Sequence, residues 1–128
     1  MDGAVIVLER EGKFLLQLRS NVEGIPNPNK WGFFGGCIEE GENPQDTIVR
    51  EIKEELNINL EKDKLNLITS GKLEHRKIHV FEHPCKWDKK DMKLGEGQDF
   101  NFFSAKEIFN IKNTAPGLRN FVKEFLVN

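Results

Sequence analysis

Residues 36–58 read GCIEEGENPQDTIVREIKEELNI, and they carry the strongest signal in this chain of 128 residues. A glycine turn leads to Glu42, and a segment of helical composition then places carboxylates at Glu51, Glu54 and Glu55. Because each residue of an α-helix turns by ~100°, carboxylates at positions i, i+3 and i+4 lie on one face. Carboxylate oxygens are the ligands that Mg²⁺ and Mn²⁺ prefer. The segment therefore predicts a divalent-metal site on a helix that follows a glycine-rich loop.

A purely structural interpretation of this acidic helix is that its charged face is solvated. Repulsion between like charges on a helix costs only ~0.2–0.5 kcal/mol per pair, so acidic faces are common without a bound metal. That interpretation accounts for the glutamates but not for their fixed spacing from the glycine turn. The spacing follows the pattern G-x5-E-x7-R-E-U-x-E-E-x-G-U, in which U is a bulky aliphatic residue. The residues that match it are Gly36, Glu42, Arg50, Glu51, Ile52, Glu54, Glu55 and Ile58.

This pattern resembles the Nudix box, the signature of the MutT-like pyrophosphohydrolases. Asn57 stands where the box has glycine, and Asn is the next best residue for a left-handed turn after a helix. The resemblance implies an α/β fold, namely an α/β/α sandwich with a mixed β-sheet. It also implies that Glu51, Glu54 and Glu55 bind Mg²⁺, with Mn²⁺ as a substitute, and that the carbonyl of Gly35 joins the metal shell. Glu51 or Glu54 is then also the candidate general base.

The remaining box residues are expected to shape the loop before the helix. Arg50 is predicted to pair with Glu42 and to pin the loop on the helix, because a guanidinium group orients carboxylates through paired hydrogen bonds. Direct participation of Arg50 in catalysis is the alternative. Gly36, like the glycine before it, admits a close approach of the backbone, and a plain strand-to-loop turn explains these glycines equally well.

Three positions outside this segment carry weaker signals. Glu96, in the sequence GEGQ of residues 95–98, resembles a late acidic loop residue of MutT-like enzymes and is a candidate metal ligand or base. An ordinary charged loop residue is the alternative. Arg19, at the end of the second predicted strand, corresponds roughly to a phosphate-contacting arginine in such enzymes, or it is simply solvated. Asn113, ahead of the last helix, is a candidate for hydrogen bonding to a nucleobase.

Hydrophobic and turn patterns along the chain predict a mixed sheet with helices on both faces. Strands are expected at residues 4–8, 14–19, 31–34, 65–70, 76–81 and 98–103. The main helix should begin after Asn43, a good N-cap, with Pro44 at its first position. Its expected buried stripe is Ile48, Val49, Ile52 and Leu56. A short helix over residues 105–109 and an amphipathic helix after Pro116 complete the prediction.

Composition and charge limit the kinds of binding partner and the cellular compartments that are expected for this chain. The net charge is −2 and charged residues are 31% of the chain, so no strong field would draw it to nucleic acid or an anionic membrane. No apolar run approaches the ~20 residues of a membrane span, and the N-terminus lacks the basic region of a signal peptide. Cys37 and Cys85 have neither metal-type spacing nor a disulfide framework, which favours reduced thiols in a cytoplasmic protein. One domain over residues 1–128 is expected, and the family suggests a homodimer.

The leading functional hypothesis is a metal-dependent pyrophosphohydrolase that cleaves a phosphoanhydride bond in a nucleoside diphosphate linked to a further group. The compact length favours a (d)NTP or an oxidised (d)NTP, cleaved to the monophosphate and pyrophosphate. Nucleotide sugars, ADP-ribose and dinucleoside polyphosphates stay open, because specificity in a fold lies in its variable loops. The rival hypothesis is a Nudix-fold regulatory module that binds a nucleotide without cleaving it. The presence of all three helix glutamates favours the enzyme.

Overall fold

The computed structural model describes residues 1–73, 75–95 and 97–127. The strands are β1 (Gly3–Arg10), β2 (Lys13–Leu18), β3 (Trp31–Gly32), β4 (Phe34–Cys37), β5 (Asn66–Leu73), β6 (Arg76–Pro84) and β7 (Asp99–Ser104). The helices are α1 (Pro44–Leu56), α2 (Ala105–Asn110) and α3 (Leu118–Phe121), and a π-helical turn at Val122–Leu126 continues α3. Short 3₁₀-helices lie at Lys62–Lys64 and Lys89–Asp91. None of the helices in the described ranges is long and apolar enough to span a membrane.

The strands form one mixed sheet in the order β3-β2-β1-β6-β5, with β4 paired to β1 and β7 paired to β2. β1 and β6 run parallel, whereas the other described pairings between these strands are antiparallel. One edge of β1 is shared, because its first half pairs with β4 and its end forms a hairpin with β2. The start of β1 therefore lies between β4 and β6.

Hydrophobic side chains pack on both faces of the sheet. On one face, Ile48, Ile52 and Leu56 of α1 are fully buried against residues of β1 and β6. On the other face, Ile108 of α2 and Val122 beyond α3 are buried in a second cluster. Complete burial of an aliphatic side chain contributes about 1.5–3 kcal/mol, so both clusters hold helices on the sheet. The predicted α/β/α sandwich with a mixed sheet is confirmed.

Both ends of α1 are fixed by local capping. The side chain of Asn43 accepts a hydrogen bond from the backbone N–H of Asp46 at 2.9 Å, and the Asp46 carboxylate accepts one from the Asn43 N–H. At the other end, Asn57 has φ of 56°, and its N–H donates to the carbonyl of Lys53 at 3.1 Å. Asn57 thus takes the left-handed conformation for which the box pattern has glycine.

Two predicted elements differ in detail. The single strand expected at residues 31–34 is two strands, β3 on β2 and β4 on β1, because the chain crosses between neighbours at Phe33. The ring of Phe33 packs edge-on against Phe121, 5.8 Å between centroids. In α1, Val49 was expected in the buried stripe but is only half-buried, and Glu55 is buried instead. The stripe follows positions i, i+4, i+7 and i+8 from Ile48, and Glu55 falls on it.

Candidate active site

The loop between β4 and α1 holds Glu42 against the helix. The Nε and Nη2 of Arg50 donate to the two carboxylate oxygens of Glu42 at 2.7 and 3.0 Å. The hydroxyl of Thr47 and the backbone N–H of Glu39 donate to Oε1 of the same carboxylate at 2.9 and 3.0 Å. The hydrogen bond from Arg50, followed by that from Glu39, lowers the pKa of Glu42 to about 2. Glu42 is therefore ionised near neutral pH and ties the loop to α1.

The guanidinium group of Arg50 is shared among four carboxylates. Besides its bonds to Glu42, its Nη1 donates to Oε1 of Glu51 at 2.9 Å. The same Nη1 lies 3.5 Å from a carboxylate oxygen of Glu54 and 3.6 Å from one of Glu39. The hydrogen bonds to Glu42 and then to Glu51 raise the pKa of Arg50, which stays charged. One positive charge facing four negative ones leaves a net negative cluster that a further cation would offset.

Two adjacent glycines let β4 approach its neighbours. A Cβ on Gly36 would lie 2.3 Å from Cδ and 2.5 Å from Oε1 of Glu51. A Cβ on Gly35 would lie 2.3 Å from the carbonyl oxygen of Ala4 in β1. Non-bonded carbon atoms prefer separations of about 3.5–4.0 Å, so neither position accommodates a side chain. The carboxylate of Glu51 therefore lies directly against the backbone of β4.

The three helix carboxylates differ in exposure. The side chain of Glu51 is 16% exposed and that of Glu54 is 58% exposed. Glu55 is only 9% exposed and lines a cleft beside the helix. On the acidic face predicted from the spacing, the exposure of the carboxylates thus increases from Glu55, which is buried at the cleft, to Glu54, which is open to solvent.

The type of donor atom in this region suits a hard divalent cation, whereas the spacing of the side chains does not form a closed set of ligands among the described residues. Glu51, Glu54 and Glu55 offer carboxylate oxygens, and Gly35 lies beside the same cleft with a backbone carbonyl. Among residues 1–73, 75–95 and 97–127, no group of three or more His, Cys, Asp or Glu residues is clustered closely enough to hold a metal ion by itself. Because Glu51 is engaged by Arg50, a bound ion would compete with that guanidinium group for the carboxylate.

A cleft of about 450 Å³ opens beside Glu55. Gly35 and Gly36 border it on the side of α1 and β4, and residues of the loop 20–27 border it on another side. Its apolar lining includes Val5, Val22, Ile25, Phe33, Leu73 and Ile78. A cleft of this volume, with an apolar surface and a carboxylate at its border, has the size and character of a small-molecule site.

Two guanidinium groups line the same cleft. Arg19, singled out in the sequence, donates from its Nε to the carbonyl of Pro26 at 2.8 Å. Arg76, which the sequence analysis missed, donates from its Nε to the carbonyl of Met1 at 2.9 Å. A Cβ on Gly3 would lie 2.6 Å from Nη2 of Arg76, so glycine at the start of β1 leaves room for this side chain. No local sequence pattern identifies Arg76 as a cleft residue, because its position depends on the parallel pairing of β6 with β1.

The remaining predicted positions lie elsewhere or are not described. Glu96 lies outside the described residues, whereas the N–H of Gly95 before it donates to the carbonyl of Glu55 at 2.7 Å. Asn113 lies in the loop before α3, and its Nδ2 donates to the carbonyl of Asn29 at 2.7 Å. Asn113 is not among the residues that line the cleft. The predicted roles of both residues stay predictions.

The two cysteines occupy different environments, and both are free thiols. Cys37, at the end of β4, is exposed and lines the cleft, and its carbonyl accepts a hydrogen bond from Arg50 at 3.3 Å. Cys85 is buried, and burial raises the pKa of its thiol. Cys37 is therefore the accessible thiol of the pair.

Comparison with solved structures shows the same fold in several proteins of low sequence identity. The MutT NUDIX hydrolase from Burkholderia pseudomallei is 21% identical, covers 95% of each chain and superposes with a TM-score of 0.78. The MutT protein from Methanosarcina mazei is 22% identical over 98% of this chain and 91% of that chain, with a TM-score of 0.77. The NUDIX domain of NrtR from Shewanella oneidensis, solved with ADP ribose, is 15% identical over 96% of this chain and 84% of that chain, with a TM-score of 0.75. No curated protein matches the sequence significantly.

The family assignment comes from a sequence model rather than from these structures. A model of the NUDIX domain matches residues 2–125, which is nearly the whole chain. The match includes the glycine turn, Glu42, Arg50 and the glutamates of α1. The chain therefore belongs to the NUDIX family and is a Nudix hydrolase, of the class that acts on derivatives of nucleoside diphosphates.

Proposed function

We propose that this protein is a Mg²⁺-dependent pyrophosphohydrolase that cleaves a nucleoside triphosphate, normal or oxidised, to the monophosphate and pyrophosphate. The observation that carries the proposal is the cleft that Glu55, Arg19 and Arg76 line together. Guanidinium groups bind phosphate oxygens, and the carboxylate of Glu55 at the same cleft suits the cation that phosphoryl chemistry requires. A polyanionic nucleotide is the ligand that uses both kinds of group.

The helix carboxylates are the groups that would hold the cation. Glu51, Glu54 and Glu55 would supply side-chain oxygens, and Gly35 would supply its carbonyl oxygen. When bound, the ion would neutralise phosphate oxygens and acidify a coordinated water. Mn²⁺ is the expected substitute for Mg²⁺, because both take oxygen ligands. Glu96 remains a sequence-based prediction for a further ligand or base.

Of the two candidate bases, Glu54 has the more open carboxylate. Glu51 is hydrogen-bonded to Arg50 at 2.9 Å, whereas Glu54 lies 3.5 Å from the same nitrogen and is more than half exposed. A general base has to reach a water that is free to attack phosphorus. The exposure of Glu54 therefore favours it as the group that takes the proton.

The ion pair of Glu42 and Arg50 has a structural role in this proposal. It fixes the loop before α1 and places a positive charge beside Glu51. Because Arg50 contacts carboxylates rather than the cleft, it would act on the reaction through the position of Glu51. Gly36 supports the same arrangement by leaving space for that carboxylate.

The size of the cleft favours a mononucleotide. Small-molecule sites span roughly 300–1,000 Å³, and this cleft, at about 450 Å³, lies toward the lower end. A dinucleoside polyphosphate would extend well beyond it. ADP-ribose is the second candidate ligand, because the Shewanella NrtR domain of the same fold was solved with ADP ribose. It could be hydrolysed here, or bound without cleavage as the regulatory alternative requires.

A release screen tests the proposal directly. Phosphate, pyrophosphate and nucleotide products are measured for (d)NTPs, nucleotide sugars, ADP-ribose and dinucleoside polyphosphates, with Mg²⁺, with Mn²⁺ and with a chelator. Metal-dependent release of pyrophosphate and monophosphate from a (d)NTP is the expected result. Cleavage of ADP-ribose instead would replace the substrate and keep the enzyme class. Nucleotide binding without cleavage of any substrate would move the assignment to a binding module.

Three further expectations accompany this proposal. The free state of Cys37 and Cys85 supports a reducing compartment such as the cytoplasm. The match over residues 2–125 supports one domain, for which a single cooperative unfolding transition is expected. A homodimer is expected by analogy with the family, and sedimentation equilibrium would measure it. No nucleic acid or membrane partner is proposed.

A further inference from the structure

We infer that Gln98 and Asn113 are positioning residues for the nucleotide, and that they act through Asn29 on the loop of residues 20–29, here called the wall loop. The inference rests on the proposed function, because it concerns affinity for the same substrate. It predicts that two side chains outside the cleft have a measurable effect on the affinity for a nucleotide inside the cleft.

The wall loop forms one side of the cleft. The residues that it contributes to the lining are Ser20, Val22, Ile25, Pro26 and Asn27. The two ends of the loop are held together by backbone hydrogen bonds. The N–H of Asn29 donates to the carbonyl of Ser20 at 3.3 Å, and the N–H of Arg19 donates to the carbonyl of Lys30 at 3.1 Å. Any change at these ends therefore changes the wall that the substrate contacts.

Asn29 is the residue at which the loop is fixed to the rest of the protein. Its φ of 59° lies in the left-handed region, which Asn tolerates better than most residues. Its side-chain oxygen accepts a hydrogen bond from Nε2 of Gln98 at 2.9 Å. Its backbone carbonyl accepts one from Nδ2 of Asn113 at 2.7 Å. Two distant segments thus hold one residue in an otherwise unfavourable conformation.

Gln98 joins the two ends of the wall loop. Its Nε2 donates both to the carbonyl of Arg19, before the loop, and to the side chain of Asn29, at the end of the loop, each at 2.9 Å. Its backbone N–H donates to the carbonyl of Leu18 at 2.9 Å, which fixes Gln98 to the end of β2. The amide group of Gln98 therefore reinforces the backbone hydrogen bonds that already join the loop ends.

Asn113 holds the same loop from the other side. Its backbone carbonyl accepts the N–H of Trp31 at 2.8 Å, so the side chain that reaches Asn29 starts from a fixed position next to β3. Neither Asn113 nor Gln98 lies among the cleft-lining residues. Asn113 is therefore assigned a position behind the loop, which differs from the direct base contact predicted from the sequence.

Loss of these bonds should weaken substrate binding and spare the chemical step. When the wall loop samples several conformations, the apparent affinity for the ligand falls in proportion to the fraction of the protein in the binding-competent conformation. The candidate metal-binding carboxylates that the structure describes, Glu51, Glu54 and Glu55, are on α1, and the described hydrogen bonds of Gln98 and Asn113 go to other segments. We therefore expect KM to rise while kcat changes little.

Gln98→Glu and Asn113→Asp are the informative variants, because each keeps the size of the side chain and replaces a donor with an acceptor. Since one hydrogen bond is worth ~1 kcal/mol, and repulsion between acceptors adds to its loss, KM should rise about five- to twenty-fold in each. Asn110→Asp is the matched control. The Nδ2 of Asn110 donates to the carbonyl of Lys106 at 3.1 Å within α2, away from the cleft, so its loss should leave KM unchanged.

A double-mutant cycle tests whether Gln98 acts through Asn29. Asn29→Gly keeps the left-handed backbone conformation accessible and removes the side-chain acceptor. In that background, Gln98→Glu should raise KM by a smaller factor than in the natural protein, because the shared contact is already absent. Equal factors in both backgrounds would overturn the connection through Asn29.

The failure of this inference can be told apart from the failure of the proposed function. If the natural protein hydrolyses any nucleotide of the release screen and both variants keep its KM for that nucleotide, the inference is wrong. If the natural protein cleaves no nucleotide, the proposed function is wrong, and hydrogen exchange of the amides in residues 20–29 decides the inference. Faster exchange in Gln98→Glu and Asn113→Asp than in Asn110→Asp would support it, and equal exchange would overturn it.

Discussion

The carboxylate of Glu51 occupies the space that a side chain on Gly36 would need. This contact joins β4 to α1 at the point where the acidic face begins. Because Arg50 bonds both Glu51 and Glu42, the strand, the loop and the helix are held in one arrangement. The position of the Glu51 carboxylate therefore depends on a residue that has no side chain.

Gly36→Ala should displace the Glu51 carboxylate, because the new Cβ would lie 2.3 Å from Cδ of Glu51. A misplacement of ~1 Å at a reacting centre costs about 100-fold in rate, so kcat/KM should fall by about that factor. Gly71→Ala is the control, since a Cβ there meets nothing within 4 Å. Steady-state kinetics and thermal melting of both variants check this. Equal activity in the two would show that the position of Glu51 is unimportant.

Glu54→Gln should reduce turnover by orders of magnitude and leave the fold intact, because it removes a charge with almost no change in volume. The side chain is 58% exposed, so little packing energy is at stake. Glu40→Gln, an exposed loop position with the same change of charge, is the control. Turnover is measured over a Mg²⁺ titration, with melting temperatures alongside. Natural turnover in Glu54→Gln would remove this residue from the proposed metal and base roles.

Glu42→Gln should destabilise the protein near neutral pH, and the difference should disappear in acid. The pKa of Glu42 is lowered from 4.5 to about 2 by its bond to Arg50. A carboxylate with a lowered pKa stabilises the fold above its ordinary pKa, and this contribution is lost as the pH falls through the lowered value. Urea unfolding of both proteins should therefore converge between pH 4.5 and about 2. A constant difference over this range would contradict the ion-pair interpretation.

Arg76→Gln should raise KM for the nucleotide more than it lowers kcat, because the guanidinium lines the cleft and lies outside the acidic cluster. Gly3→Ala offers an independent test, since its Cβ would lie 2.6 Å from Nη2 of Arg76 and would push the flexible end of that side chain aside. A smaller rise in KM is expected there. If neither variant changes KM, Arg76 does not contact the substrate.

The sequence predicted the parts of the site that local interactions determine. The start of α1 follows from Asn43 and Pro44, and its end from Asn57, because capping depends on residues within one turn of each other. Glu42, in the loop before α1, and Arg50, on α1, are only eight positions apart, so their ion pair could also be predicted from the sequence. Spacing alone carries this information, so no knowledge of the sheet was needed.

Residues brought together by the sheet could not be predicted in this way. Arg76 lines the cleft because β6 runs parallel to β1 and sets it near Gly3, a long-range pairing that no local pattern specifies. Gln98 and Asn113 reach Asn29 across 69 and 84 positions. The burial of Glu55 instead of Val49 depends on how α1 is rotated on the sheet, which periodicity defined only to within one residue.

The exposed thiol at the end of β4 has a practical use. Cys37 lines the cleft, and Cys85, the only other cysteine, is buried with a raised pKa. Because the thiolate is the reactive form, a maleimide dye should attach to Cys37 and spare Cys85 in the folded protein. A fluorophore placed there would report nucleotide entry in real time, without introducing or removing any residue.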